Sequence, residues 1–355
     1  MVSMGSCQWC HESYGYDGAG EIEDTMNQYG NDYKIAGRNA AAVTAIDILD
    51  SDGDGYTNGD EIAAGTFPGN ANDQPGLTPA PSKVYTRAQL EAMDQHTQFM
   101  LMNASRSDDK YVEYSGVPIK DLLDDAGILP SATGITVYAP DGWYQYHPLE
   151  YNEDTEMYHV YGNMPGEDYQ YPPATYYYNQ QADMAENPTD GWCEYDAPSC
   201  AGRSHGDNIF VENGLKALLA ISRDGAPLDP GVLTDENKLD GEGPYRVVVP
   251  QKNVTPPDQS SRADNQNVVW PYTYDWDHSA GACSRSATII RVEPLPEGTT
   301  DVDILEAGWS YVDDEKVLIY GAISAADKDD NDDDNSAIDD NDDDDDNCFV
   351  RSILK

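Results

Sequence analysis

Twelve residues, DSDGDGYTNGDE at positions 50–61, constrain this chain more than any other stretch. Asp50, Asp52 and Asp54 take positions 1, 3 and 5 of a loop, and Gly55 takes position 6, where the chain must turn sharply. Tyr56 at position 7 offers its carbonyl, Asn58 stands at 9, and Glu61 at 12 can bind with both oxygens. Carboxylates crowded at this spacing repel one another unless a hard cation sits among them. The pattern is that of an EF-hand-like calcium loop. A full EF-hand continues into a long helix, whereas here EIAAG stops at Gly65 and TFPGNANDQPG follows. A single loop locking a small domain is expected, rather than a calcium sensor with paired hands.

A second pattern lies upstream. Cys7, Cys10 and His11 spell C-x-x-C-H, the spacing that attaches a c-type haem. Two thiols so placed can each bond one vinyl group of a porphyrin, and the adjacent imidazole can ligate the iron. Zinc would need two further ligands, and no second pair at metal-ligand spacing is present. The expected cofactors are therefore Ca2+ and haem c. Met26 and His96 are the two candidates for the sixth iron ligand. CEYDAPSCAGRSH offers Cys193, Cys200 and His205 for a second, nonstandard haem, against the competing reading of a Cys193–Cys200 disulfide. Haem is attached outside the cytoplasm. Periplasm or outer cell surface is therefore expected, with an export segment removed or lying upstream of the present start. His147 and His159 lie among tyrosines and read as structural or surface residues.

The formal charge is −46, from 66 acids against 20 bases. A phosphate backbone would be repelled, which excludes nucleic acid as a partner. The charge suits calcium and redox partners with a basic docking surface, and allows assembly into a larger complex or filament. No apolar run is long enough to span a membrane. From Asp327 to Asn347 stand 13 aspartates and one lysine, a like-charged segment that reads as disordered.

Four regions follow. Residues 1–75 form a small helical unit carrying both motifs, with short helices in EIEDTMNQYGNDYK and AGRNAAAVTAIDILD. In the second of these, Asn39 or Arg38 opens the helix, and Ala41, Ile46 and Leu49 give an apolar stripe. Residues 76–82 (GLTPAPS) read as an extended linker. Residues 83–326 alternate β-like runs (GITVYAP, YRVVVP, SATIIRVEPLP, KVLIYGAI) with helical ones (VPIKDLLDDAG, ENGLKALLAISRDG), an α+β pattern with mostly β character. Glu150–Asn208 reads as a large ordered insertion. Residues 327–355 are the acidic tail, closing on CFVRSILK.

These pieces resemble known families. C-x-x-C-H followed by DSDGDGYTN (50–58) and GTFPG (65–69) is similar to small cytochrome c-like units of exported bacterial proteins. YSGVPIKDLLDDAGI (114–128), GITVYAPDGW (134–143), LLAISRDGAPLDP (218–230) and GPYRVVVP (243–250) resemble the molybdopterin-binding domain of the sulfite oxidase family. That family's molybdenum ligand is a cysteine shortly before the V-P-L segment. Residues 99–114 hold none, so the resemblance implies the fold without the metal's thiolate. GEGP (241–244), PQKNVTPPDQ (250–259) and RSATIIRVEPLPEGTTD (285–301) are similar to the GEGP motif-containing dihaem proteins. The resemblance implies an exported c-type cytochrome that transfers electrons rather than an enzyme acting on a substrate. Two other readings stand beside it: a calcium-stabilised structural or adhesive surface protein, and an oxidoreductase subunit with a cofactor in the second domain.

Overall fold

KVLIYG (316–321) is apolar without alternation, as a strand buried on both faces must be. Its odd positions Val317 and Ile319 enter the main core, while Leu318 and Tyr320 enter a second cluster with Ala80, Tyr138 and Ile289. The strand lies in a five-stranded sheet whose order is Ser82–Thr86, Lys316–Gly321, Ile289–Glu293, Gly134–Tyr138 and Tyr144–Pro148. The pair Lys316–Gly321 and Ile289–Glu293 is parallel and the other three are antiparallel. The computed structural model describes residues 7–12, 25–104, 107–151, 157–161, 170–186, 191, 193–234, 239–257, 278–302 and 304–324. The acidic tail with Cys348 lies outside these.

A second, six-stranded sheet is built on the antiparallel pair His96–Met102 and Asp109–Pro118, continued by Leu218–Arg223 and Ala226–Pro227. Arg246–Val248 also pairs with Leu218–Arg223, and Cys193–Glu194 runs parallel to Asp109–Pro118. The inner faces of both sheets meet in one core with the helix Ile119–Asp125, whose Ile119, Leu122 and Leu123 are fully buried. The outer face of the six-stranded sheet carries an aromatic cluster of Phe99, Tyr111, Tyr176 and Tyr195. Part of the 150–208 stretch supplies this cover, through strand Ala174–Tyr176 paired with Asp207–Ile209. The architecture is α+β with more strand than helix, and among the described residues no helix is long and apolar enough to cross a membrane.

One element differs from its sequence reading. ENGLKALLAISRDG folds as strand Leu218–Arg223 and not as a helix. Leu218, Leu219 and Ala220 pair on both edges, with Gly116–Pro118 and with Arg246–Val248, so the buried run is a central strand. Gly116 is required there, because a Cβ would collide with the Leu219 carbonyl oxygen. GEGP brings Glu242 beneath this sheet. Its carboxylate binds Arg223 and, at 2.6 Å, Arg246, which also bonds the Tyr114 hydroxyl. A buried charge with this much compensation holds the turn in place.

Among the described residues, the N-terminal unit has three short α-helices: α1 (Gln28–Ala36), α2 (Ala40–Ile46) and α3 (Asn58–Ala64). Asn39 caps α2 by accepting from the backbone nitrogens of Ala41 and Ala42 at 2.9 and 3.0 Å. The buried stripe of α2 is Ala42 and Ile46; Ala41 is exposed and Leu49 is 40% exposed. The helix stops before Leu49 because the calcium-type loop begins there. The 76–82 segment is extended but not free. Thr78–Pro79 pairs in parallel with Thr299–Thr300, and Ala80 is buried. The unit is therefore joined to the β-rich body by backbone hydrogen bonds.

Candidate calcium site

The loop between α2 and α3 is shaped by its own aspartates. Asp50 Oδ1 accepts from Gly53 N at 2.7 Å and Asp54 N at 3.2 Å, and its Oδ2 accepts from Gly55 N at 3.0 Å. Asp54 Oδ1 accepts from Tyr56 N at 2.8 Å. Gly55 has φ of +102°, a left-handed value that an L side chain strains to adopt. Thr57 then caps α3, its hydroxyl accepting from Asp60 N at 3.2 Å, and Gly65 ends the helix in the left-handed conformation.

This folding brings carboxylates together. Ligand oxygens of Asp50, Asp52 and Asp54 lie within 4.8 Å of one another. Glu61, on the first turn of α3, is 0% exposed. Asp52 Oδ2, Asp54 Oδ2 and both Glu61 oxygens are buried and, among the described residues, have no hydrogen-bond partner. Burial, then the charges of Asp52 and Asp54, push the Glu61 carboxyl up to about 9. Burial, then Asp54, push Asp52 up to about 6. Four carboxylate oxygens aimed inward without donors repel one another and are relieved by taking up a proton or a cation. They form a good site for a hard cation with six to eight oxygen ligands.

The remaining predicted ligands divide. The Tyr56 side chain is 40% exposed, so its contribution to a cation is its backbone carbonyl. Asn58 has another task. Its Oδ1 accepts from Ser51 N at 3.1 Å, and its Nδ2 donates to Ile46 O and Ser51 Oγ, both at 2.9 Å. Fully buried, it closes the loop onto the end of α2 rather than facing the carboxylates. Asp73 was not singled out by sequence. Its negative charge contributes to raising the Glu61 pKa, its Oδ2 accepts from Phe67 N at 2.8 Å, and its Oδ1 accepts from the Thr300 hydroxyl of the β-rich body. Only the docked structure could reveal that link.

The C-x-x-C-H residues pack against α1 and Phe67. Cys7–Trp9 forms a single 3-10 turn against the helix Ile304–Asp313. Trp9 is buried against Tyr29 and Phe67, at ring distances of 6.4 and 5.7 Å. α1 passes so close to Cys10 that only glycine fits at Gly30. The Cys10 side chain is partly exposed, while that of Cys7 lies outside the described residues. His11 is buried, with Nδ1 2.7 Å from Thr25 Oγ1, and its backbone pairs with Met26 in an antiparallel bridge. His96 is elsewhere: it opens a strand of the six-stranded sheet, opposite Gly116, and burial lowers its pKa. Cys193 and Cys200 are buried free thiols within the aromatic cluster, and His205 accepts from Tyr178 N at 3.1 Å.

The sequence model of the bacterial TSP3 repeat family matches residues 50–68, the calcium-type loop and the G-T-F-P segment after it. Neither a cytochrome nor a sulfite oxidase family matches. No curated protein and no solved structure matches the chain.

Proposed function

We propose that this chain is a calcium-stabilised structural protein of the cell exterior. In it, one ion at Asp50–Glu61 locks the N-terminal unit onto a self-supporting β-rich body. The observation that carries the reading is Glu61: a fully buried carboxylate with no donor on either oxygen among the described residues, beside Asp52 and Asp54. The similarity of residues 50–68 to the bacterial TSP3 repeat supports it. Asp50, Asp52, Asp54, the Tyr56 carbonyl and Glu61 would hold the ion. The ion would neutralise their mutual repulsion and fix the start of α3, and through Asp73 the contact to Thr300. An exterior location supplies calcium at the concentrations such a loop needs. The test is a melting curve of the full chain with calcium and with chelator, set beside an Asp52→Ala variant. The wild type should lose stability on chelation, and the variant should no longer respond to calcium.

A second reading keeps the cytochrome expectation, and His11 favours it. When Nδ1 is the donor to Thr25 Oγ1, Nε2 carries the lone pair, the tautomer that an axial ligand requires. The Cys7 and Cys10 thiols would then anchor a haem c and His11 would ligate its iron; of the two far-side candidates, Met26 stands beside His11, whereas His96 lies in the six-stranded sheet. Haem would supply one-electron exchange with a basic partner protein. A pyridine haemochrome spectrum on chain exported through a c-type maturation system tests it: a covalent haem supports the reading, and a folded chain without one ends it.

A further inference from the structure

Strand Tyr144–Pro148 is the edge of the five-stranded sheet, and residues 160 and 161 hydrogen-bond to its C-terminal end. Val160 N donates to Pro148 O at 3.0 Å, and Tyr161 N donates to Leu149 O with the same sequence offset. That shared offset runs His159 beside His147. Both are interior residues, 0% and 2% exposed respectively, which fits the structural and not the surface half of their sequence reading. His147 faces Ile135 directly across the hairpin, on the side of the sheet that enters the main core.

A neutral imidazole has one N–H to donate and one lone pair to offer. Neither ring nitrogen of His147 has a hydrogen-bond partner among the described residues, a costly state for a side chain this deeply buried. Burial, with the neighbouring His159 adding to it, drives the His147 pKa down to about 4, so protonation does not relieve the problem. His159 is held in a fixed orientation. Its ring stacks on Tyr171 at 5.8 Å and meets Tyr151 edge-on at 5.2 Å. Its Nδ1 donates to Met157 O at 3.3 Å, which places the lone pair on Nε2. A backbone carbonyl fixing one nitrogen so that the other can bind is the usual support of a metal-ligating histidine.

We propose that His147 and His159 are two ligands of a buried site for one late transition-metal ion of the zinc and copper class. Imidazole nitrogen selects such ions over calcium and magnesium, which take oxygen ligands. The site is separate from the Asp50–Glu61 loop and does not depend on its reading. The ion would pin residues 158–161 to the sheet edge, closing an edge strand that would otherwise be open to pairing.

The test uses the full chain in excess Ca2+, so that the carboxylate sites are filled, with Zn2+ as the probe. After equilibration and gel filtration, the wild type should retain one more zinc per chain than His147→Gln or His159→Gln. Titration should show at least a tenfold weaker affinity at this site in either variant. Equal zinc content in wild type and variants overturns the proposal. Should the variants fail to fold, 15N-histidine NMR of the wild type decides. Zinc must shift the ring resonances of both His147 and His159, and unmoved resonances overturn the proposal equally.

Discussion

The calcium-type loop and the β-rich body solve opposite problems. The body buries Leu122, Leu123, Val292 and Ile319 at 0% exposure, and its charged knots, Glu242 with Arg223 and Arg246 and Arg291 with Glu293 and Asp301, set opposite charges against each other. The loop buries instead the Glu61 side chain and one oxygen each of Asp52 and Asp54, all of one sign and, among the described residues, without donors. The apolar core of the first region is held by the polypeptide alone. The second is complete only with a cation. A mature interior and an ion-dependent one therefore stand in one chain, joined at Thr78–Pro79 against Thr299–Thr300 and at Asp73 to Thr300.

Removing calcium should separate the two regions most strongly. With free Ca2+ at a thousand times its dissociation constant, the ion contributes about 4 kcal/mol, all of it lost on chelation. Calorimetry should show that loss in the transition of residues 25–75, with the transition of the body little moved. A coincident fall of both would merge the regions into one cooperative unit. The reverse perturbation is Leu122→Ala, which leaves a cavity in the main core. It should cost about 2–5 kcal/mol in the body transition, to the same extent with and without calcium. Denaturant melts at two calcium concentrations check that equality.

The pH response should distinguish them further. In the metal-free protein Glu61 holds its proton to about 9, against an ordinary value of 4.5. The folded unit therefore binds more protons than the unfolded chain across that window. Its calcium-free stability is fully present below the ordinary value and declines as pH rises through the window. Calcium must displace the proton, so calcium affinity should climb by up to about tenfold per pH unit below pH 9. Asp52 adds to the slope below about 6. Calorimetry in buffers of different ionisation enthalpy would show the released proton, and a pH-independent affinity would remove Glu61 from the site. The smallest effect should come from Thr300→Val, which deletes the hydroxyl bonded to Asp73 at the junction. A loss of about 1 kcal/mol is expected in the N-terminal transition alone.

Much of the loop could be read before the fold was seen, because its chemistry is local: one aspartate at every second position and a glutamate at the twelfth fix the ligands by spacing. Asn58 fits the same spacing yet serves as a structural clasp, since a side-chain amide can hydrogen-bond backbone as readily as it can ligate. Asp73 and the His147–His159 pair carry no local signal, because their partners are brought to them only by tertiary pairing. The strand Leu218–Arg223 was masked for a related reason. Both of its faces are covered, so its apolar run has no period of two, and LKALLA is as good a helix former as a strand former. By contrast, GITVY, IIRVE and KVLIYG are rich in β-branched residues and fold as read.

The most direct measurement is a calcium titration of the full chain beside a Glu61→Gln variant. The variant keeps the shape of the side chain and removes its charge. The wild type should show one tight site above the weak, salt-sensitive binding of the acidic tail, and the variant should retain only the weak phase. Superimposable titrations would contradict a calcium lock at Asp50–Glu61.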